Sequence, residues 1–394
     1  MKVLVCHPGT QHAGKLAAAL KRETLLGTYF TGLRLKPDSF LGRRLRLSAL
    51  RSLDESLSDC TRQIRVPDLL AKALQYAGCS GERASRVGAA WFQKLIPDSA
   101  ILSSNAVIGF DTLSWILARR AKALGRPFIL ERTAIHRATR ASIRAAFAQS
   151  GSGALPESPS GGVQDAMESE EIALASRVVA ASRFSERSLL DAGVAPEKIS
   201  VIPYGVHWEW FAAGAKRGSQ EGKLTFLFVG HVKAEKGIAI LLDAWKRLAP
   251  SDAELCLAGS GDPETIAAAR AIPGVRVLGK LAPEELRAIY RGASVFVFPT
   301  FYDGFGMVLL EAMACGLPIL ATPNCAAPEL IRDGAAGAIF PAGDPAALCA
   351  AMADVCANRT AWSQRGVAAR EIARSYSWEA YGERWAALLR EVVS

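Results

Sequence analysis

The stretch Pro299–Thr322, P-T-F-Y-D-G-F-G-M-V-L-L-E-A-M-A-C-G-L-P-I-L-A-T, predicts one structural unit. The apolar run Val295–Phe298 precedes it and is typical of a buried parallel strand. Two glycines in the D-G-F-G run at 303–306 allow the backbone to approach a ligand closely. A helix is expected from Met307 to Cys315, and Ile319–Ala321 resumes a strand. This order predicts a βαβ unit whose loop lies at the ligand-binding edge of an open α/β sheet.

Two carboxylates, Asp303 and Glu311, bracket this loop, with seven residues between them. The helix amino terminus between them presents free N–H groups and the positive end of the helix dipole, which suit a phosphate. Glu311 is expected about one turn into the helix, facing whatever the amino terminus binds. Either acid alone would be interpreted as a turn residue or a solvated helix position. The spacing and the glycines together favour a binding site.

This run resembles the E-x7-E signature of the GT-B glycosyltransferases of the retaining, nucleotide-sugar-dependent kind often called family 4. The resemblance implies an α/β fold of the GT-B type, in which two doubly wound Rossmann-like domains face a cleft. It also implies that the first acid contacts the donor sugar and that the second holds the ribose. Asp303 is one methylene shorter than the glutamate of the family, so the sugar contact is where this chain is expected to differ.

The donor site implied by this resemblance extends to two other strand ends. Lys236 closes the segment G-H-V-K-A-E-K-G at 230–237 and can reach a diphosphate as a point charge. The family usually has arginine where His231 stands, so diphosphate stabilisation is expected to depend more on Lys236 and backbone N–H groups. Main-chain atoms at Gly279–Leu281 would read the base. The predicted donor-binding residues are Gly9, Gly230, His231, Lys236, Gly279, Lys280, Leu281, Asp303, Gly304, Phe305, Gly306, Met307, Val308 and Glu311.

The amino-terminal turn, H-P-G-T at 7–10, follows the strand Val3–Cys6. It lacks the three-glycine dinucleotide fingerprint, which argues against NAD. The resemblance places Gly9 and Thr10 across the cleft from the donor, near its phosphate or the acceptor. His7 and His12 are either site histidines or loop residues.

The loop after the strand Phe128–Leu130 is the second candidate region of the first half. The family carries a histidine or an acid there, facing the reacting sugar, so Glu131 and His136 are the candidates. His136 is preferred because imidazole can bind a hydroxyl in either protonation state near neutral pH. The alternative is that His136 caps or packs a helix. The predicted catalytic residues are His136, Asp303 and Lys236.

Arginines follow on one predicted helical face, at Arg137, Arg140 and Arg144. They either meet an acidic or phosphate-bearing acceptor or are solvated. A second basic segment, residues 32–65, is either a solvated connection or a peripheral contact with an anionic membrane. No recognition motif or aromatic platform for nucleic acid accompanies it.

Composition limits the class of protein. The chain has 394 residues, of which 50% are hydrophobic and 22% charged, and a formal net charge of +9. Its eight cysteines contain no C-x2-C pair, which argues against a zinc site and for a reducing compartment. No apolar run of membrane-spanning length and no signal-peptide pattern is visible, so we expect a cytoplasmic protein, with attachment at the inner membrane face as an alternative.

The resemblance predicts three parts: an acceptor-binding domain at 1–205, a nucleotide-sugar-binding domain at 206–375, and a terminal helix at 376–394 that packs back on the first domain. The predicted function is sugar transfer from a nucleotide-diphosphate donor, of UDP or GDP type, to a hydroxyl of a glycan, lipid-linked or small-molecule acceptor, in glycan or glycoconjugate biosynthesis. No cofactor or metal is expected. A nucleotide-sugar-binding protein with little activity and a nucleotide-sugar epimerase remain alternatives.

Overall fold

The computed structural model describes residues 1–9, 12–34, 55–149, 162–213 and 223–393. Within them, two separate parallel sheets form, one from each half of the chain. All recorded strand pairs are parallel, which requires helical crossovers between neighbouring strands. This is the expected pair of doubly wound α/β domains.

The first sheet has the strand order β3-β2-β1-β4-β5-β6-β7. Its strands are β1 (Val3–His7), β2 (Leu26–Thr31), β3 (Thr61–Gln63), β4 (Ala106–Phe110), β5 (Phe128–Arg132), β6 (Arg177–Ala180) and β7 (Ile199–Val201). The helices of this half are α1 (Ala13–Arg22), α2 (Val66–Tyr76), α3 (Gly81–Leu95), α4 (Asp98–Leu102), α5 (Trp115–Ala123), α6 (Arg137–Gln149), α7 (Val163–Leu174) and α8 (Arg183–Leu190).

The second sheet has the order β10-β9-β8-β11-β12-β13. Its strands are β8 (Leu224–Val229), β9 (Ala253–Ala258), β10 (Val275–Gly279), β11 (Val295–Phe298), β12 (Ile319–Ala321) and β13 (Gly337–Ile339). The remaining helices are α9 (Trp208–Ala212), α10 (Ile238–Leu248), α11 (Pro263–Arg270), α12 (Pro283–Gly292), α13 (Met307–Ala314), α14 (Ala327–Ile331), α15 (Pro345–Ala357), α16 (Arg359–Arg374) and α17 (Trp378–Val393).

The central strands β1, β4 and β11 are buried along their whole length. Strands covered by helices on both faces are continuous apolar runs, which is why Val295–Phe298 and Ala106–Phe110 were visible in the sequence. In both sheets the strand order reverses beside the first strand of the domain, β1 or β8. Ligands of open α/β sheets bind at such reversals, and the predicted site loops lie there.

The last helix, α17, packs against α1 of the first domain. A Cβ atom on Gly382 would lie 3.0 Å from the Ala19 Cβ, so the two helices approach closely at small residues. The segment that leaves the first domain contacts the residues just before the last helix. The Val206 N–H donates a 2.8 Å hydrogen bond to the Tyr376 carbonyl, and Val206 forms a β-bridge with Ser377. Residues from both ends of the second half therefore lie against the first domain.

Several sequence expectations need correction. The sequence also predicts a helix from Thr112 to Leu124, but this helix begins only at Trp115, since residues 111–114 form the turn after β4. Glu131 and Arg132 were expected after the strand, but they belong to β5, where Arg132 is still in register with Ala180. Three stretches lie outside the described residues: Thr10 and Gln11 of the amino-terminal turn, most of the basic segment (35–54), and residues 150–161, whose serine, glycine and proline content predicts a loop.

Across the described ranges, none of the helices combines the length and apolar character that crossing a bilayer would require. All eight cysteines are free, and four of them are buried.

Candidate functional site

The loop after β11 is fixed by Asp303. The Phe305 N–H donates to Asp303 Oδ1 at 3.1 Å, and the Asp303 N–H donates to the Asn324 carbonyl at 2.9 Å. The first bond is an aspartate turn that sets the path of the glycine-containing segment. The other carboxylate oxygen, Oδ2, lies 2.5 Å from Lys236 Nζ. Two predicted site residues, 67 positions apart, therefore form an ion pair.

Lys236 is held in place by contacts between its loop and the β11 loop. The Phe301 N–H and the Thr300 hydroxyl both donate to the Glu235 carbonyl, at 3.0 and 3.2 Å. Gly237 follows at a φ of 70°, and a Cβ there would lie 1.9 Å from the Pro299 carbonyl oxygen. Only glycine allows this approach, which brings the lysine beside Asp303.

Glu311 occupies the expected position one turn into α13. Its Oε2 accepts a hydrogen bond of 2.9 Å from the hydroxyl of Tyr290, a residue of α12 that sequence reasoning missed. Burial raises the pKa of the Glu311 carboxyl, and the Tyr290 hydrogen bond opposes that shift. Gly306 caps the helix at a φ of 86°, and the following N–H groups of Met307 and Val308 have no partner within the helix. A carboxylate and an anion-binding helix terminus thus lie next to each other.

The glycine-containing turn after β9 contacts both the turn after β8 and the turn after β10. A Cβ on Gly259 would lie 1.9 Å from the Gly230 carbonyl oxygen, and the Gly259 N–H donates to the Gly279 carbonyl at 2.8 Å. His231 is exposed beside this row, with Nδ1 3.4 Å from the Ser260 hydroxyl. Lys280 is exposed and Leu281 half-buried. These predicted residues therefore line one edge of the second sheet.

The first domain contacts the D-G-F-G segment directly. The Gly304 carbonyl accepts hydrogen bonds from the hydroxyls of Ser182 and Ser185, at 2.6 and 2.7 Å. A Cβ on Gly304 would lie 1.9 Å from the Thr133 carbonyl oxygen. Next to them, the Arg183 N–H donates to Glu329 Oε1 at 2.9 Å. The amino terminus of α8 therefore docks on the second domain beside Asp303.

Sequence reasoning missed this docking contact. Ser182 was expected only to begin a helix, and it does cap α8. A contact between main chain and hydroxyl across two domains leaves no pattern in either segment, so no signal in the sequence identified it.

Glu131 is fully buried at the carboxyl end of β5. Its Oε1 lies 2.7 Å from His12 Nε2 and accepts a 2.6 Å hydrogen bond from the hydroxyl of Tyr381 on α17. The His12 ring is 4.3 Å from the ring of Tyr204, and Tyr204 lies 5.3 Å from Phe305 of the D-G-F-G segment. Of the two candidates in this region, Glu131 is thus the one connected, through His12 and Tyr204, to the D-G-F-G segment. His12 is a partner of this acid rather than an isolated loop residue.

His136 lies in a different environment. Its Nδ1 accepts from the Ala138 N–H at 3.2 Å, and its Nε2 is 3.8 Å from Glu168 Oε1, which also forms a 2.8 Å ion pair with Arg132. Burial lowers the pKa of His136, opposed by the charge of Glu168. These contacts, all within the first domain, favour a role in starting α6 over a direct contact with sugar.

The amino-terminal turn is fixed by its own histidine. The Gly9 N–H donates to His7 Nδ1 at 2.8 Å, and the Arg34 guanidinium binds the Gly9 carbonyl. His7 is buried and packs edge-on against Phe110 at 4.7 Å. His7 therefore shapes the turn that positions Gly9, while Thr10 lies outside the described residues.

The arginines of α6 are not simply solvated. Arg137 pairs with Asp165 at 2.9 Å and Arg140 with Glu168 at 3.6 Å. Arg144 donates to the hydroxyl of Tyr302 at 2.9 Å, one residue before Asp303. The face predicted for an acidic acceptor is therefore largely paired, and its last member reaches the second domain.

Part of the chain is similar in sequence to known proteins. Residues 223–358 match the family described as glycosyl transferases group 1. A D-inositol 3-phosphate glycosyltransferase of Geodermatophilus obscurus is 33% identical over 235 residues, 54% of this chain and 52% of the relative. A phosphatidyl-myo-inositol mannosyltransferase of Mycobacterium leprae is 34% identical over 185 residues, 45% of this chain and 49% of the relative. The chain spans about half the length of the curated relatives it matches.

Solved structures share the fold over the whole chain. Anabaena HepE in complex with UDP has a TM-score of 0.68 at 16% identity, covering 99% of this chain and 100% of that protein. Sucrose-phosphate synthase from Thermosynechococcus elongatus has a TM-score of 0.67 at 18% identity, covering 100% and 99%. The chain therefore has the GT-B fold, and its match to the group 1 glycosyl transferases covers residues 223–358 of the second domain.

Proposed function

We propose that this protein is a glycosyltransferase that moves a sugar, with retention of configuration, from a nucleotide-diphosphate donor to an acceptor hydroxyl. One observation carries the proposal: the Lys236–Asp303 ion pair lies beside an anion-binding helix terminus and one turn from Glu311. A cation, free N–H groups and two carboxylates are the groups needed to bind a diphosphate between a ribose and a sugar. Relatives named as glycosyltransferases support the transfer reaction.

Each group has a role in donor binding. Glu311, oriented by Tyr290, would accept hydrogen bonds from the ribose hydroxyls. The N–H groups of Met307 and Val308 and the Lys236 ammonium would bind the diphosphate. Lys236 would exchange Asp303 for a phosphate oxygen, which frees the Asp303 carboxylate to accept a hydroxyl of the sugar. The ion pair of the ligand-free protein therefore holds both groups ready in one place.

In the transfer step the protein would position the acceptor against the donor and stabilise the charge on the departing diphosphate. The acceptor oxygen bonds to the anomeric carbon on the face from which the diphosphate leaves. The bond from that carbon to the phosphate oxygen breaks, its electron pair stays on the diphosphate, and a phosphate oxygen takes the acceptor proton. Lys236 and the α13 terminus would stabilise the departing charge. His231, exposed and bonded to Ser260, would add to it only when protonated.

The first domain would bind the acceptor and close on the donor. The contacts of Ser182, Ser185 and Thr133 with Gly304 support this proposal, in which Glu131 and the Gly9 turn would face the donor. Of the predicted catalytic residues, we retain Asp303 and Lys236 in direct contact with the donor and propose a positioning role for His136. UDP is bound by the Anabaena neighbour, which supports a donor of UDP type, with GDP as the alternative. A metal-free reaction in the cytoplasm remains part of the proposal.

Nucleotide binding is the first test. Thermal unfolding would be measured with UDP, GDP and ADP, since a ligand at about a hundred times its Kd stabilises by about 2.7 kcal/mol. The nucleotide that shifts Tm most then selects the donor panel, and release of the nucleoside diphosphate is followed with and without acceptors. Transfer should persist with EDTA. Binding without release would indicate a nucleotide-sugar-binding protein, and an altered sugar formed without acceptor would indicate an epimerase.

A further inference from the structure

Two buried oxygen atoms near the D-G-F-G segment at 303–306, the proposed donor loop, lack hydrogen-bond partners among the described residues. Within the described part of the chain, neither Glu131 Oε2 nor the Tyr204 hydroxyl has one, although both atoms are hidden from solvent. An unsatisfied buried polar atom costs about 1–3 kcal/mol, so native structures keep few of them and usually for a reason. Their common surroundings suggest that reason.

Glu131 is oriented so that one of its oxygens stays available. His12 and Tyr381 both bind Oε1, at 2.7 and 2.6 Å, and this fixes the carboxylate from two sides. The two partners come from the first turn and from the terminal helix. Oε2 is left as a buried acceptor without a hydrogen-bond partner among the described residues. A rigid acceptor of this kind suits a hydroxyl ligand.

Tyr204 lies between this acid and the donor loop. Its ring contacts His12 on one side, at 4.3 Å, and Phe305 on the other, at 5.3 Å. Burial raises the pKa of its hydroxyl, and the negative charges of Glu131, Asp111 and Asp303 raise it further. The hydroxyl therefore stays protonated and can donate as well as accept. Because Phe305 belongs to the second domain and His12 to the first, separation of the domains would uncover this position.

We infer that the Tyr204 hydroxyl and Glu131 Oε2 bind a sugar hydroxyl in the closed cleft, with His12 and Tyr381 as positioning residues for Glu131. The inference rests on the proposed function and extends it to Tyr204. Sugar hydroxyls both donate and accept, so one hydroxyl can donate to Oε2 and accept from Tyr204. The terminal helix thereby becomes part of the sugar site. The hydroxyl comes either from the donor sugar or from a sugar acceptor.

The two variants that test it change single atoms. Tyr204→Phe removes only the hydroxyl, and Glu131→Gln keeps an oxygen for His12 and Tyr381 while placing an amide NH2 at the position of Oε2. Because neither atom has a partner in the free protein, Tm should not fall in Tyr204→Phe. Tyr76→Phe, on an almost fully exposed tyrosine, is the matched control for loss of a phenolic hydroxyl. The probe is whichever of UDP-glucose, UDP-galactose and GDP-mannose shifts Tm most.

Each variant is expected to lower kcat/KM of transfer about tenfold to a hundredfold, while the Kd for the free nucleoside diphosphate stays unchanged. If the hydroxyl belongs to the donor sugar, acceptor-independent hydrolysis of the donor falls by the same factor as transfer. Wild type and Tyr204→Phe should then have equal rates with the deoxy analogue of the donor that lacks this hydroxyl. If it belongs to the acceptor, only the acceptor KM and transfer change. Unchanged transfer in Tyr204→Phe and Glu131→Gln, with an active wild type, would overturn this inference alone. No shift with any nucleotide sugar would overturn the proposed function, and the inference with it.

Discussion

Lys236 Nζ and Asp303 Oδ2 lie 2.5 Å apart, so the cation proposed for the diphosphate and the acid proposed for the sugar neutralise each other before any ligand arrives. Both side chains are partly buried, and their two loops are bonded through the Glu235 carbonyl. Donor binding therefore replaces one ion pair by two charge-assisted contacts, Lys236 to phosphate and Asp303 to a hydroxyl. The two residues should then differ in which part of the donor they affect.

Lys236→Met is expected to weaken UDP binding about tenfold to a hundredfold, because a hydrogen bond to a charged group contributes about 1.5–3 kcal/mol. Asp303→Asn should leave UDP binding intact or stronger, since it releases Lys236, while transfer from the nucleotide sugar falls. Isothermal titration with UDP and a transfer assay separate the two effects. Lys233→Met, in the same loop and with its ammonium 3.7 Å from Glu235 Oε1, is the control. Equal loss of UDP affinity in Lys236→Met and Lys233→Met would contradict the assignment.

Glu311 should make nucleotide binding depend on pH. Burial raises the pKa of its carboxyl, so protonation sets in at a higher pH than for a free glutamate. The protonated acid accepts ribose hydroxyls less well, and UDP affinity should therefore fall as the pH decreases through this raised pKa. Glu311→Gln should bind more weakly at neutral pH and lose the dependence. Tyr290→Phe removes the hydrogen bond that opposes the shift and should move the loss of affinity to higher pH, which titrations between about pH 5 and 8 would show.

The fold was largely predictable because its signals are local. The strand Val295–Phe298 has the expected bounds, and the terminal helix, expected at 376–394, spans Trp378–Val393. Edge strands were harder: Thr61–Gln63 has three residues and only one buried side chain, so it carries no apolar run. The pattern of burial that marks a central strand is weak at the edge of a sheet.

The site residues were predictable where charged side chains follow a strand and a glycine-containing turn. Asp303 and Lys236 lie together because the parallel strands before them end at one edge of the sheet, and Glu311 follows in the next helix. The sequence could not show that His136 turns toward Glu168 or that Glu131 pairs with Tyr381, 250 residues away. Such contacts depend on packing between distant helices. The choice between two neighbouring polar residues was therefore open until their partners were known.

Gly304→Ala should separate the domains without unfolding them. The new Cβ would lie 1.9 Å from the Thr133 carbonyl oxygen, a backbone atom that cannot rotate away, so Ser182 and Ser185 would lose their acceptor. We expect transfer to fall by about a hundredfold or more, as for a site displaced by about 1 Å. The radius of gyration from small-angle scattering should rise with saturating donor present. Gly292→Ala, where a Cβ meets open space, is the control. Wild-type activity in Gly304→Ala would show that this contact is not made during catalysis.

Glu171 is expected to make the first domain less stable as the pH rises. Its two oxygens accept from the Thr112 and Ser114 N–H groups, each at 2.6 Å, yet burial outweighs these bonds and raises the pKa of the carboxyl to about 8. The folded protein therefore holds a proton that the unfolded chain releases near its ordinary pKa of about 4.3. This stabilisation is complete below that value and is lost as the pH rises toward 8.

Urea unfolding between about pH 5 and 8.5 should consequently show a midpoint that falls with pH, by an amount on the order of 1 kcal/mol or more in the free energy of unfolding. In Glu171→Gln this part of the slope should disappear, because the amide does not titrate. The variant should also be about 1–3 kcal/mol less stable at pH 5, since one of the two N–H groups would face an NH2 group instead of an oxygen. Glu170→Gln, on the neighbouring, partly exposed residue that pairs with Arg119, should keep the slope of the wild type. A midpoint that rises across this range in the wild type would mean that the two backbone bonds, and not burial, decide the charge of Glu171.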